Sequence, residues 1–151
     1  MRRKDREIMD RAEIEAILDE ALVCRIGLSD GNDPYVVPVC FGYGNGSVYI
    51  HSAGEGRKIA LLKKNPRCCF EMDICDGIVR GKKPCSWGMR YRSVIGSGTA
   101  AILTNPAEKQ HGLNCILQHY GGDSHQFSIS DLKAVTVIRI AAESMTGKKH
   151  E

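Results

Sequence analysis

At 151 residues the chain is long enough for one domain that buries about 70% of its unfolded surface. Its 42% hydrophobic and 26% charged residues exclude a disordered polymer, and a net charge of +3 with few, scattered aromatics excludes the basic–aromatic stripe of a nucleic-acid binder. No apolar run approaches the roughly 18 residues of a membrane span, and seven cysteines, an odd number with no C-x-x-C and no secretion signal, fit free thiols in a reducing cytoplasm.

The basic residues gather at Met1-Arg2-Arg3-Lys4 and at Gly147-Lys148-Lys149, and both clusters read as solvated ends. Asp10 is a helix cap with Glu13 as its capping-box partner. Ile14, Ile17, Leu18 and Leu22 recur at helical spacing, so the helix ends near Glu20 or Ala21. A strand over 23–28 follows, then the turn-forming run Ser29-Asp30-Gly31-Asn32-Asp33-Pro34. The next strand, 35–43, contains Pro38, which suits an edge, a bulge or a barrel corner. Gly44-Asn45-Gly46 makes a hairpin turn into a third strand over 47–52. Three strands with such short connections predict an antiparallel meander.

A short helix over 59–64 stops at Asn65-Pro66. Strand character returns over 67–73, and 76–84 reads as an exposed loop. A long strand over 89–103 is interrupted by Gly96 and Gly98, which predict a bulge. Thr104 or Asn105 caps a helix with Pro106 in its first turn, ending at Gly121-Gly122. The last strand covers 134–140. No repeat or linker divides the chain, so residues 1–151 are expected to form a single domain. About six strands and two or three helices that do not alternate with them predict a mainly β, α+β fold: a small antiparallel barrel with flanking helices.

Chemistry concentrates in Tyr49-Ile50-His51-Ser52-Ala53-Gly54-Glu55-Gly56-Arg57-Lys58. A strand delivers His51 and Ser52 to its end, two glycines allow close backbone approach, and Arg57 and Lys58 open a helix. A helix N-terminus with a guanidinium, an ammonium and a hydroxyl makes a phosphate clamp. A polar turn with an exposed basic pair is the bland alternative. The spacing is neither that of a Walker A loop nor that of a dinucleotide fingerprint.

These residues, with others in order along the chain, resemble the pyridoxamine 5′-phosphate oxidase-like, FMN-binding split-barrel family, closest to its nitroimidazole-resistance (Nim-type) branch. The matching pieces are Met1-Arg2-Arg3-Lys4-Asp5-Arg6-Glu7-Ile8, Pro34-Tyr35-Val36-Val37-Pro38-Val39 with Phe41-Gly42-Tyr43, and Tyr49-Ile50-His51-Ser52-Ala53 with Gly56-Arg57-Lys58. Asn65-Pro66 with Cys69-Phe70-Glu71, then Tyr91-Arg92-Ser93-Val94, then Thr146-Gly147-Lys148 complete the set.

The resemblance implies an antiparallel split barrel paired as a homodimer, with FMN near the subunit interface. Val36, Val37, Pro38 and Val39 would run along the isoalloxazine by backbone contact. His51 and Ser52 would border the flavin, Arg57 and Lys58 would hold its phosphate, and Ser93 and Val94 would complete the cradle. The implied function is a flavin-dependent oxidoreductase passing electrons from a small donor to a small acceptor, with a nitroaromatic as the branch-level suggestion. The alternative is a protein that binds FMN, haem or a deazaflavin without turnover. Relatives often carry histidine and arginine near the positions held here by Ser97 and Thr99, a departure on the substrate side of the site.

Imidazole side chains change charge near neutral pH, so His51 is a candidate proton donor beside the flavin or a packing residue. His111, Cys115 and His119 share a helix face but supply three ligands where a zinc site wants about four, so they read as structural. Cys68 and Cys69 would point to opposite faces of a strand, and the cysteine spacing matches no cluster motif, so no metal site is expected. Trp87 and Tyr91 are open between stacking near a flavin, closing the pocket from a partner subunit, and filling core or interface. No nucleic-acid or membrane partner is expected.

Overall fold

A computed structural model of the protein describes residues 3–150; Met1 and Arg2 of the N-terminal basic cluster lie outside the described residues. A 3-10 turn over Lys4–Arg6 leads into strand β1 (Glu7–Ile8) and helix α1 (Arg11–Glu20). The Asp10 carboxylate caps α1 by accepting from the Ala12 N–H at 2.9 Å. Glu13 closes no capping box; its carboxylate accepts from Lys149 Nζ at 2.7 Å. Ile14, Ile17 and Leu18 are buried as predicted, but Leu22 lies beyond the helix and is 69% exposed, because Ala21 takes the inward position at the turn.

Strands β2 (Cys24–Ser29), β3 (Pro34–Val39), β4 (Gly42–Gly44) and β5 (Ser47–Ser52) follow. Helix α2 (Arg57–Lys64) precedes the two long strands β6 (Arg67–Val79) and β7 (Gly88–Ile102). Helices α3 (Pro106–His119) and α4 (Ile129–Ala134) lead to β8 (Thr136–His150). The sheet is antiparallel in the order β3-β2-β6-β7-β8-β5-β4, with β1 added to β8.

The expected meander does not form. β3 and β4 are the two ends of the sheet and do not pair, although only Cys40 and Phe41 separate them in the chain. A link that short spans on the order of 10 Å. The sheet must therefore curl until its edges meet, closed by covalent connection and left without hydrogen bonds along one seam. This is the split barrel. Pro38 sits on edge strand β3, where its missing N–H costs no ladder bond. Between β4 and β5, Asn45 (φ 51°) and Gly46 (φ 71°) both take the left-handed region that a two-residue hairpin requires.

The barrel interior holds Ile26, Phe41, Ile50, Phe70, Met72, Val94, Ile138 and Ile140, with α1 and α2 contributing Ile17, Leu18 and Ile59. A smaller core forms where α3 and α4 cover the outer side of β5 and β8, through Tyr49, Leu113, Ile116, Leu132 and Val137. The predicted bulge falls between Ser97 and Gly98.

Three boundaries differ from expectation. Residues 76–84 are only partly a loop: Gly77, Ile78 and Val79 continue β6 past a bulge and pair with Arg90, Met89 and Gly88. Ala134 ends helix α4, which Ser128 and Asp131 start through a reciprocal capping box. β8 runs to His150, so Lys148 and Lys149 are partly buried strand residues rather than a solvated tail. Gly147 is the reason that strand can pass close to Ile8: a Cβ there would sit 2.8 Å from the Ile8 side chain.

Candidate functional site

The phosphate-clamp segment spans the end of β5 and the start of α2. Gly56 takes φ 112° at the N-cap, and no side chain caps the helix. The N–H groups of its first turn therefore keep their capacity to donate. The first turn carries no acidic residue. The Arg57 guanidinium lies 4.8 Å over the Tyr35 ring, which fastens the clamp to the start of β3. Lys58 is half-buried, and burial lowers its pKa from the ordinary lysine value. Among the described residues Lys58 has no ion pair, so an anion bound there would meet an uncompensated cation. The donor set of Ser52 hydroxyl, free helix N–H groups, guanidinium and ammonium fits the phosphate of FMN.

The structure divides the other predicted residues between two faces. Val36 and Pro38 are exposed on the outer side of β3, whereas Val37 and Val39 turn towards the barrel core. Because β3 pairs with β2 alone, its other edge presents unpaired backbone groups, as backbone contact with a ring requires. Ser93 is on the outer face of β7 and donates to the Lys148 carbonyl at 3.4 Å. Val94 is fully buried in the barrel core, so this position meets a ligand through its backbone only. His51 and Ser52 alternate: Ser52 shares the side of Val48 and Ile50, whereas the exposed His51 shares the side of Tyr49, towards α3. A ligand lying on one face of β5 meets only one of the two side chains.

The outer face shared by β3, β2, β6, β7 and β8 is covered by no helix. Across it run cross-strand rows such as Val36–Gly27–Cys69–Ser97–Ser144 and Pro38–Arg25–Glu71–Ile95–Thr146. Val36 is 64% and Ile95 55% exposed. Arg25 donates to Glu71 at 3.0 Å and to Asp73. Burial pushes the Glu71 carboxyl above its ordinary value although Arg25 draws it down. Ser97 shares a hydrogen bond with Ser144 at 2.8 Å, and Thr99 donates to Glu143, which also pairs with Arg67. The two departing positions thus have a polar network of their own. Sequence reasoning missed it, as it missed Tyr35 beneath Arg57: these partners meet only once the strands are in register.

The histidine and cysteine candidates bring no three ligating side chains together among the described residues. His111 Nε2 and Cys115 Sγ are 3.5 Å apart, but desolvation raises the Cys115 pKa, the opposite of an activated nucleophile. His119 turns away to donate through Nε2 to the Ala21 carbonyl at 2.7 Å and stacks on Phe41 at 4.3 Å. Cys68 is buried and Cys69 exposed, on opposite faces as predicted. Burial pushes the Cys24 thiol up to about 12. No helix among the described residues is long and apolar enough to cross a membrane.

The sequence matches the family described as pyridoxamine 5′-phosphate oxidase over residues 10–149. Among solved structures, a candidate 5-nitroimidazole antibiotic resistance protein from Bacteroides thetaiotaomicron is 35% identical, with a TM-score of 0.83 over 95% of this chain and 86% of that one. The flavocytochrome Anf3 from Azotobacter vinelandii superposes with a TM-score of 0.87 at 21% identity, covering all of this chain and 72% of that one. An FAD- and haem-binding protein from Mycobacterium smegmatis gives a TM-score of 0.87 at 18% identity, over 97% of this chain and 74% of that one. These two show a shared fold. No curated protein matches the chain significantly.

Proposed function

Because the chain belongs to the pyridoxamine 5′-phosphate oxidase family, we propose that it is an FMN-binding flavoprotein and an oxidoreductase for small acceptors, nitroaromatics among them. The observation that carries this reading is the uncapped start of α2, where Lys58 follows Arg57 and the Arg57 guanidinium lies over the Tyr35 ring of β3. FMN supplies hydride and single-electron chemistry when bound. Arg57, Lys58 and the first-turn N–H groups of α2 hold its phosphate, with Ser52 as a further donor. The free edge of β3 from Val36 to Val39 offers backbone donors and acceptors along the ring. Ser93 and the backbone of Val94 close the cradle. The exposed His51 is the group available to hold a proton at the clamp's margin; facing away from Ser52, it delivers that proton only to a substrate approaching from the α3 side.

The uncovered sheet face supports a homodimer. Exposed Val36 and Ile95 and the Arg25–Glu71–Asp73 network suit a partner of the same kind, and FMN at the β3 edge would then lie near the interface. We place the protein in the cytoplasm on the strength of its seven unpaired cysteines. The acceptor reading draws on the 35%-identical resistance protein.

Turnover is the test. FMN-loaded protein is reduced under anaerobic conditions by a stoichiometric amount of reduced nicotinamide or dithionite, and a nitroimidazole is then added. Visible flavin bands should bleach with the first and return with the second. Bands that bleach but never return with any nitroaromatic contradict the oxidoreductase reading and leave a carrier of FMN, haem or a deazaflavin.

A further inference from the structure

Past Cys75 the sheet thins to two strands. Among the described residues β8 makes its last pairing at His150 with Tyr91, while β6 and β7 run on together to Val79 and Gly88. The resulting arm exposes Ile78 (65%), Trp87 (55%) and Met89 (44%). From Gly77 to Arg90 it carries Arg80, Lys82, Lys83 and Arg90 and no carboxylate.

At the base of the arm lies a groove of about 410 Å³, walled by Val79, Trp87 and Met89, with Tyr91, His150 and Arg6 below. Its aromatic wall is held in place. Trp87 Nε1–H donates to the Gly81 carbonyl at 3.1 Å, and Arg80 lies 5.7 Å over the indole. His150 Nδ1 donates to the Met89 carbonyl at 2.8 Å, which leaves Nε2 as an acceptor, or a donor once protonated. Lys148 Nζ lies 5.8 Å over the Tyr91 ring. Desolvation pushes the Tyr91 hydroxyl up, but Lys148 and Arg6 outweigh it and hold the phenol below its ordinary pKa. Among the described residues no carboxylate lines the groove.

We propose that this groove binds a planar aromatic anion, its ring against Trp87 and Met89 and its charge held by Arg6. The volume suits one or two fused rings. Flat apolar walls reward a planar ligand, and a cationic rim without competing carboxylates rewards a negative one. The site is separate from the α2 clamp on the same chain. None of the groove's lining residues lies in β3, β5 or α2. Two sources share this chemistry: a free aromatic acid, or a flavin presented by a second copy of the chain.

Trp87 is the one tryptophan, so its indole N–H resonance in isotope-labelled protein reports on the groove alone. Para-nitrobenzoate should move that resonance saturably. Cyclohexanecarboxylate, which lacks the ring, and para-nitrobenzyl alcohol, which lacks the charge, should each bind at least about fivefold more weakly. Arg6→Ala should weaken para-nitrobenzoate by about fivefold and Arg6→Lys by less, with the remaining amide spectrum unchanged as proof of folding. Arg57→Ala/Lys58→Ala should leave the titration as it was. FMN moving the indole of wild type but not of that double variant would identify a flavin presented by a second copy as the groove's source of the same chemistry. An indole that stays still with both para-nitrobenzoate and FMN, an equal response to the ring-free acid, or an unchanged affinity in Arg6→Ala overturns the proposal.

Discussion

Gly42 marks the tightest contact between strand and helix. A Cβ built there would meet the Cys115 carbonyl carbon at 2.3 Å and the Ile116 nitrogen at 2.5 Å. Both are backbone atoms of α3, so no side-chain rotation relieves the clash. Gly42→Ala should therefore destabilise the fold by about 1–3 kcal/mol, read as a lower urea midpoint. A midpoint equal to wild type would mean that α3 slides off β4 at no cost. The clamp residues are a different case at the same scale. Arg57 and Lys58 were legible because strand end, glycine and basic pair are contiguous, so the sequence itself carries the geometry. The division of His51 from Ser52, and of Ser93 from Val94, follows from the two-residue period of a strand. That signal was present, but a motif treats neighbours as one group where a strand separates them. Tyr35 under Arg57 had no local signal, because the contact depends on β3 reaching α2.

Elements bounded by their own side chains were readable. The Asp10 cap of α1, the Asn105 cap before Pro106 and the Asn45-Gly46 turn each use residues within one turn of the boundary. Elements bounded by partners were not. β8 continues to His150 because β7 is beside it, and the arm forms because β6 and β7 pair beyond the Gly77 bulge. Arg92 ties such elements together. It donates to Glu20 of α1 at 2.7 and 2.9 Å and to Asp76 of β6 at 2.8 and 2.9 Å. Hydrogen bonding to Arg92 holds both carboxylates below their ordinary pKa values. A lowered carboxylate contributes stability above its unfolded pKa and loses it as pH falls through the folded one. Arg92→Ala should therefore melt below wild type at neutral pH, by a small margin because the carboxylates are solvent-exposed. The gap should narrow as the pH falls below the ordinary carboxylate range and both are protonated. A gap that stays constant across a pH series of melting curves would assign the loss to packing instead of charge.

For the molecule as a whole, the curl of the sheet decides what the site can be. The two residues between β3 and β4 bring opposite ends of one sheet together and leave a seam without hydrogen bonds. Local pattern predicted a meander there because short connections usually join paired neighbours. The barrel was still legible from its glycine-interrupted strands and from the resemblance. The open seam is functional in this account, since it exposes the β3 edge beside the α2 clamp. A fully closed barrel would spend those backbone groups on its own ladder.

The most direct test of that account is the visible spectrum of the purified protein after incubation with FMN and desalting, for wild type and for Arg57→Ala/Lys58→Ala. The account predicts flavin bands that co-elute with wild type and are lost from a double variant that remains folded. Wild type that stays colourless after reconstitution, or a double variant that retains the flavin undiminished, would contradict it.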